Sequence, residues 1–450
     1  MNFNDQYTVT GASSPSQGVS VGFDKKTAVT ITALLVVLAI LLTFIITFAV
    51  LDGQYQAAYD AQLDKLGQFR EIIDMYQELP EEGSLNRDLY EKLLYIDYMY
   101  RTFYVGEIDE EELIYTVLNG YIAGAGDQYG TYYTADGFST AMGEAQGNSV
   151  GIGIYVSIDE ATGGVKILYV MKDGPANKAG LIAGDVITHV NGESVNDLGY
   201  YRAIDMVKGE SGTNVILTIL RDGKSSDYTL TRANVEAESI IYSKHQNDPT
   251  VGVIRIIDFN NSMPQQFYDA VEELINGGCK SLVFDLRNNP GGTLTSVLEI
   301  LDYLLPKGTL VSIKYAQGGE TDVYASDESG LEFNDLYGEM NIKMAVLVNG
   351  NTASAAELFT CALKDYERAI IVGEKTYGKG CGQTVTELPD KDGLAITTFY
   401  YDPPKSKNYN GIGIEPNIVE PLNEEAASKN IFELEHSEDN QLSKALEALK

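Results

Sequence analysis

The stretch that decides the fold is "MAVLVNGNTASAAELFTCALKDYERAIIVGEKT", Met344 to Thr376. It opens on an apolar run, as a strand covered on both faces requires. From Ser354 onward, Ala355, Leu358, Phe359, Ala362 and Leu363 recur at helical spacing. "AIIVGEKT" then reads as a strand again. Strand, helix, strand is the unit of a parallel sheet with crossover helices. Ser354 therefore falls on a strand-to-helix turn, a common place to display a nucleophile. None of the three histidines, His189, His245 and His436, lies near it in sequence. The question is which group would deprotonate the hydroxyl.

The same alternation extends upstream. "TVGVIRIIDF" is a strand, and "QQFYDAVEELINGG" is a helix with a glycine stop. "SLVFDLRNNPGG" is a strand ending in a tight turn, and "TLTSVLEILDYLL" is a helix. Downstream, Lys379 follows Ser354 by 25 residues (379 − 354), the length of one helix and one strand. In a right-handed crossover the two turns come back side by side, and Gly378 and Gly380 let the chain bend at the lysine.

A lysine serves as a base only when neutral. Its free pKa is about 10.4, and burial lowers it. Gln383 is a neutral hydrogen-bond partner able to orient the amine without recharging it. Acyl transfer also needs oxyanion donors. The Ala355 N–H stands at a helix N-terminus, and Gly291 and Gly292 of "NNPGG" can present bare amides at a strand's carboxyl end. Cys381 lacks a histidine partner and reads as a small neutral residue.

Ahead of this block lies "GNSVGIGIYVSIDEATGGVKILYVMKDGPANKAGLIAGDVITHVNGESV", with short β runs between glycine turns. "VGIGI" together with "GPANKAGLIAGDVITHVNG" resembles a PDZ domain. The likeness implies that Val150 to Ile154 form the loop and strand that receive a peptide C-terminus, with Val150, Gly151, Ile152 and Gly153 as the peptide-binding residues. Convergent backbone N–H groups and an open sheet edge suit that task.

The N-terminal part differs. Thr27 to Leu51 carries no charge, is long enough to cross a bilayer, and follows Lys25 and Lys26. It is expected to be an uncleaved single-pass signal anchor in the cytoplasmic membrane, with the body outside the cytoplasm. Residues 53–140 read as helical. Leu63, Leu66, Phe69, Ile72, Ile73 and Tyr76 form a stripe that would pack on the body or on a second copy in a homodimer. "SEDNQLSKALEALK" is a capped helix with Leu442, Leu446 and Leu449 on one side. A net charge of −33 argues against nucleic acid as a partner. Three cysteines with no zinc-type spacing suggest neither a disulfide framework nor a metal.

"FDLRNNPGG", "NTASAAE" and "TYGKGCGQT", in this order behind the PDZ-like module, resemble the carboxyl-terminal processing peptidases, or tail-specific proteases. "GDQYGTYYT" and "GIGIEPNIVEP" extend the likeness over residues 85–450. The resemblance implies Ser354 as nucleophile, Lys379 as general base, Gln383 as its orienter, and the Ala355 amide with Gly291 or Gly292 as oxyanion donors. No cofactor is implied, and the substrates would be proteins or peptides with free C-termini.

The expected fold is an α/β protease core (237–425) with a parallel-type sheet and an inserted PDZ-like, β-rich module (148–236). A tail (1–26), a transmembrane helix (27–51) and a helical region (52–140) precede them, and a C-terminal helix (426–450) follows. The rival is a non-catalytic PDZ adaptor. Intact Ser354, Lys379 and Gln383 argue against it.

Overall fold

A computed structural model describes residues 87–315, 321–326 and 333–450. The charge-free run 27–51 and the apolar stripe 63–76 lie outside the described residues. Among those described, no helix is long and apolar enough to cross a membrane. The chain divides into two units, Met1–Glu107 and Ile108–Lys450. The described part of the first is helix α1, Arg87–Phe103.

The second unit begins with α2 (Glu110–Gly124), β1 (Thr131–Tyr133) and α3 (Ala135–Ala145). Asp109 caps α2 by accepting the Glu111 and Glu112 N–H groups. The Asn119 side chain bonds both backbone groups of Tyr132, which ties α2 to β1. Strand β1 departs from the all-helical reading of this region. At three residues it is too short to show a two-residue period.

The PDZ-like module follows. Strands β2 (Asn148–Gly151), β3 (Ile154–Ile158), β4 (Val165–Val170) and β5 (Val186–Val190) precede helix α4 (Tyr200–Val207). The hairpin β6 (Asn214–Arg221) and β7 (Lys224–Thr231) and strand β8 (Ala233–Glu236) complete it. β3-β4-β5-β6-β7 is the order of one antiparallel sheet, and β2 pairs with β8. Its own core is apolar, with Ile167, Ile187, Val190, Ala203, Val215 and Leu217 fully buried.

Strand β9 (Ile240–Lys244), in the polar stretch that follows the PDZ-like module, is the antiparallel edge of the main sheet. Only Ile240 of its five residues is buried, so the segment carries little apolar signal. Then come β10 (Val251–Ile256), α5 (Met263–Asn276), β11 (Ser281–Asp285), α6 (Leu294–Leu304), β12 (Gly308–Tyr315) and β13 (Thr321–Ser326). β14 (Lys343–Val348), α7 (Ala355–Asp365), β15 (Ile370–Gly373), β16 (Cys381–Glu387), β17 (Gly393–Asp402), β18 (Ile418–Val419) and α8 (Asn440–Ala448) end the chain.

The main sheet runs β9-β10-β11-β14-β15-β18, parallel from β10 onward. Phe267, Val271, Phe284, Leu301, Val346 and Phe359 fill the space between this sheet and α5, α6 and α7. Leu442 and Ala445 of α8, with Leu449 just past its end, cover the other face. A second, antiparallel sheet runs β1-β17-β12-β13, with β16 also on β17.

A buried ion cluster fixes α8 to the end of β11. Arg287 grips Asp285 with two hydrogen bonds of 2.8 Å and donates to Asp439 (2.7 Å) and Gln441 (3.0 Å). Arg255 also donates to Asp285. Burial works against the Asp285 carboxylate, but the two guanidinium groups outweigh it and hold the carboxyl well below its usual range. Beside this cluster, Phe432 stacks on Tyr155 of β3 and lies under the Arg255 guanidinium. With the Lys166–Glu433 ion pair, it joins the PDZ-like module to the core.

His245 and His436 stack with ring centroids 5.1 Å apart and planes 4° from parallel. Their Nδ1 atoms accept the Asp248 and Gln246 N–H groups. Burial lowers both pKa values. The folded values lie below the free one, so this stability is intact above about pH 6.5 and is lost as pH falls below it. Wild type should therefore lose more Tm between about pH 7.5 and 5.5 than His245→Gln/His436→Gln. Equal losses in thermal unfolding would show that the pair carries no such linkage.

Candidate active site

Three turns meet at the carboxyl end of the main sheet. The turn after β14 carries Ser354, the turn after β11 carries Gly291 and Gly292, and the turn after β15 carries Lys379. Ser354 has φ 56° and ψ −121° at the N-cap of α7, a strained setting for a residue with a Cβ. Gly291 has φ 107°, and a Cβ there would come within 2.7 Å of Ser354 Cβ and 2.9 Å of the Ala355 N. Only glycine lets the two turns approach this closely.

One carboxylate joins the serine and lysine turns. Glu357, the third residue of α7, is fully buried. Its Oε2 accepts the N–H of Ser354 (3.0 Å) and of Lys379 (2.8 Å). Its Oε1 accepts the Gly378 N–H (2.7 Å) and the Thr376 hydroxyl (2.5 Å). Burial pushes its pKa up, and the four donors pull against that. The N-terminus of α7 also favours negative charge at this position.

Lys379 Nζ donates to Gln383 Oε1 at 3.0 Å and sits 4.6 Å over the Tyr129 ring. Burial lowers its pKa, while Cys381 and Asp127 oppose the shift. Among the described residues no hydrogen bond joins Lys379 Nζ to Ser354 Oγ. Tyr401 Oη instead donates to the Lys379 carbonyl at 2.7 Å and lies 3.4 Å from Ser354 Oγ. Its proton is committed to the carbonyl, so the serine hydroxyl is only lightly held. Catalytic hydrogen bonds are often long before substrate binds.

Of the expected oxyanion donors, the Gly291 N–H is engaged by Asn289 Oδ1 at 2.8 Å. The Ala355 and Gly292 N–H groups donate to no other group among the described residues. Cys381 is buried, and burial raises its thiol pKa, which suits a packing role. In the PDZ-like module Val150 and Gly151 are strand residues paired with Asn234 and Ala233, so they are not loop. Ile152 is buried, and Gly153, at φ 75°, turns the chain into β3, whose outer edge pairs with no strand among the described residues.

The sequence reading missed Glu357, Tyr401, Asp127 and Thr397. Glu357 had a signal, since "SAAE" fits the S-x-x-E capping box. Among the described residues no group of His, Cys, Asp and Glu side chains is arranged to hold a metal ion.

Residues 250–420 match the profile of peptidase family S41, and residues 166–221 match a PDZ domain. A protein of Staphylococcus saprophyticus named as a CtpA-like serine protease is 33% identical over 345 residues, covering 75% of this chain and 68% of that protein. One of Staphylococcus aureus bearing the same name is 32% identical over 341 residues, covering 75% and 66%. The crystal structure of a candidate S41 protease from Bacteroides fragilis matches with TM-score 0.51 at 17% identity. It covers 79% of this chain and 96% of that one, a likeness of fold.

Replacing Glu357 by glutamine would turn an NH2 group toward backbone donors at one of its two oxygen positions. Glu357→Gln should cost about 2–4 kcal/mol in denaturant unfolding and most of the activity. Unchanged stability would mean that the carboxylate does not hold the turns together.

Proposed function

The chain belongs to peptidase family S41, the CtpA-like serine proteases with a PDZ domain, and from that premise we propose that it cleaves protein substrates through an acyl-enzyme on Ser354. Neutral Lys379 takes the Ser354 proton as Oγ attacks the scissile carbonyl. The oxyanion forms against the Ala355 and Gly292 amides, which have no other partner among the described residues. The lysine ammonium then gives its proton to the leaving amine, and water releases the acyl group by the reverse sequence. Gln383 orients the amine. The observation that carries this reading is the shared carboxylate: Glu357 bonds the Ser354 and Lys379 backbones through one oxygen.

The PDZ-like module would bring substrate by its C-terminal tail. The β3 edge, unpaired among the described residues, and the Val150–Gly153 approach support that role. A single-pass anchor at residues 27–51, with the body outside the cytoplasmic membrane, would set where the substrates are met. Its support is the charge-free run behind Lys25 and Lys26. The adaptor reading gives the Glu357 clamp and the lowered Lys379 pKa nothing to do.

A fluorophosphonate probe should label wild type and not Ser354→Ala. Activity should rise with pH through the depressed Lys379 pKa, because the base works deprotonated, and substitution of the three histidines should leave that limb in place. Lys379→Ala and Lys379→Arg should each lower kcat by about 10³ or more with tail binding retained. Amidating a peptide's C-terminus should raise KM. Near wild-type turnover in Lys379→Ala would end the Ser–Lys reading, and equal KM for free and amidated peptides would end tail recognition.

A further inference from the structure

Behind the lysine runs a chain of hydrogen bonds that ends on a carboxylate. Lys379 Nζ donates to Gln383 Oε1 at 3.0 Å. Gln383 Nε2 donates to Thr397 Oγ1 at 3.1 Å, and Thr397 Oγ1 donates to Asp127 Oδ1 at 2.7 Å. Asp127 is itself fixed, since it also accepts the N–H groups of Thr397, Tyr129 and Gly130. Burial works against this carboxylate, and the hydrogen bonds more than offset it, so its pKa is lowered and it stays ionised.

The members come from distant parts of the chain. Gln383 and Thr397 are cross-strand neighbours on β16 and β17. A register shift after Gly382 skips Thr398 and sets Gln383 opposite Thr397. Asp127 opens the turn into β1, which pairs with the start of β17 through Thr131↔Ala395 to Tyr133↔Gly393. Residue 127 precedes the whole PDZ-like module and lies outside the 250–420 match to the peptidase profile.

We infer that Asp127 is a positioning residue for the proposed base: acting through Thr397, it sets which end of the Gln383 amide faces Lys379. This rests on the Ser354–Lys379 reading above. A carboxylate only accepts, so the Thr397 proton is committed to Asp127. Thr397 Oγ1 is then left to accept, which draws the Gln383 NH2 toward it and turns Oε1 to the amine. Reversed, the amide would present an NH2 to Lys379. That NH2 would donate into the lone pair needed for the serine proton and disfavour the ammonium form. The fixed acceptor at Asp127 thus propagates one polarity along the chain to the base.

The test uses the full chain and a peptide with a free C-terminus, with Lys379→Ala assayed in parallel. Thr397→Val removes the hydroxyl at nearly constant shape and keeps the backbone N–H that bonds Asp127. It should lower kcat about tenfold, leave KM within about twofold, and move the rising pH limb to lower pH. Thr397→Ser should restore kcat and limb. Thr397→Val/Gln383→Ala should be no slower than Gln383→Ala alone, as for residues on one path. Wild-type kcat and pH limb in Thr397→Val, with Lys379→Ala inactive, would overturn the inference and leave the dyad standing. Equal loss in Thr397→Val and Thr397→Ser would also overturn it, by tracing the effect to packing. Turnover in Lys379→Ala would instead overturn the dyad reading.

Discussion

The Glu357 carboxylate is the constraint on which the site depends. It is buried, no cation among the described residues pairs with it, and the four donors that satisfy it come from the two turns at the carboxyl ends of β14 and β15. An ionised group in such a place is tolerated only when its lone pairs are filled. Satisfying the charge therefore requires the turns to sit together, and Ser354 holds its positive φ because the turn around it is over-determined. Stability and the proposed chemistry share one set of hydrogen bonds.

A second buried charge cluster steadies the third turn. Arg287 directly precedes Asn288–Gly292, and its bonds to Asp285, Asp439 and Gln441 pin the end of β11 against α8. Removing one member would leave the others buried and unpaired, which costs more than the intact cluster contributes. Through Arg255 and Phe432 the same region touches β3 of the PDZ-like module. Displacement of that module would thus strain contacts one strand away from the candidate oxyanion donors.

Much of this was legible in the sequence, for physical reasons. Buried parallel strands read as apolar runs, and crossover helices read as 3.6-residue stripes. The spacing from Ser354 to Lys379 followed from one helix and one strand. Gln383 lay one short step along the next strand. What escaped notice depended on pairing across long separations. Asp127 meets Thr397 only because β1 adds to β17 across the inserted module. β9 hid in a polar segment because an edge strand with one buried residue carries almost no pattern. The preference for Gly292 over Gly291 as the proposed second oxyanion donor rests on Asn289, whose side chain takes the Gly291 N–H. No spacing in the sequence reveals that bond.

The most direct test of the central claim, that Glu357 brings Lys379 to the service of Ser354, is a crystal structure of the fluorophosphonate adduct. The account predicts the phosphonyl oxygen against the Ala355 and Gly292 amides. Lys379 Nζ should have left the Tyr129 ring and lie within about 3.2 Å of Ser354 Oγ, with the four Glu357 hydrogen bonds intact. An adduct on Ser354 with Lys379 still on the Tyr129 ring and a different titratable side chain at Oγ would contradict it.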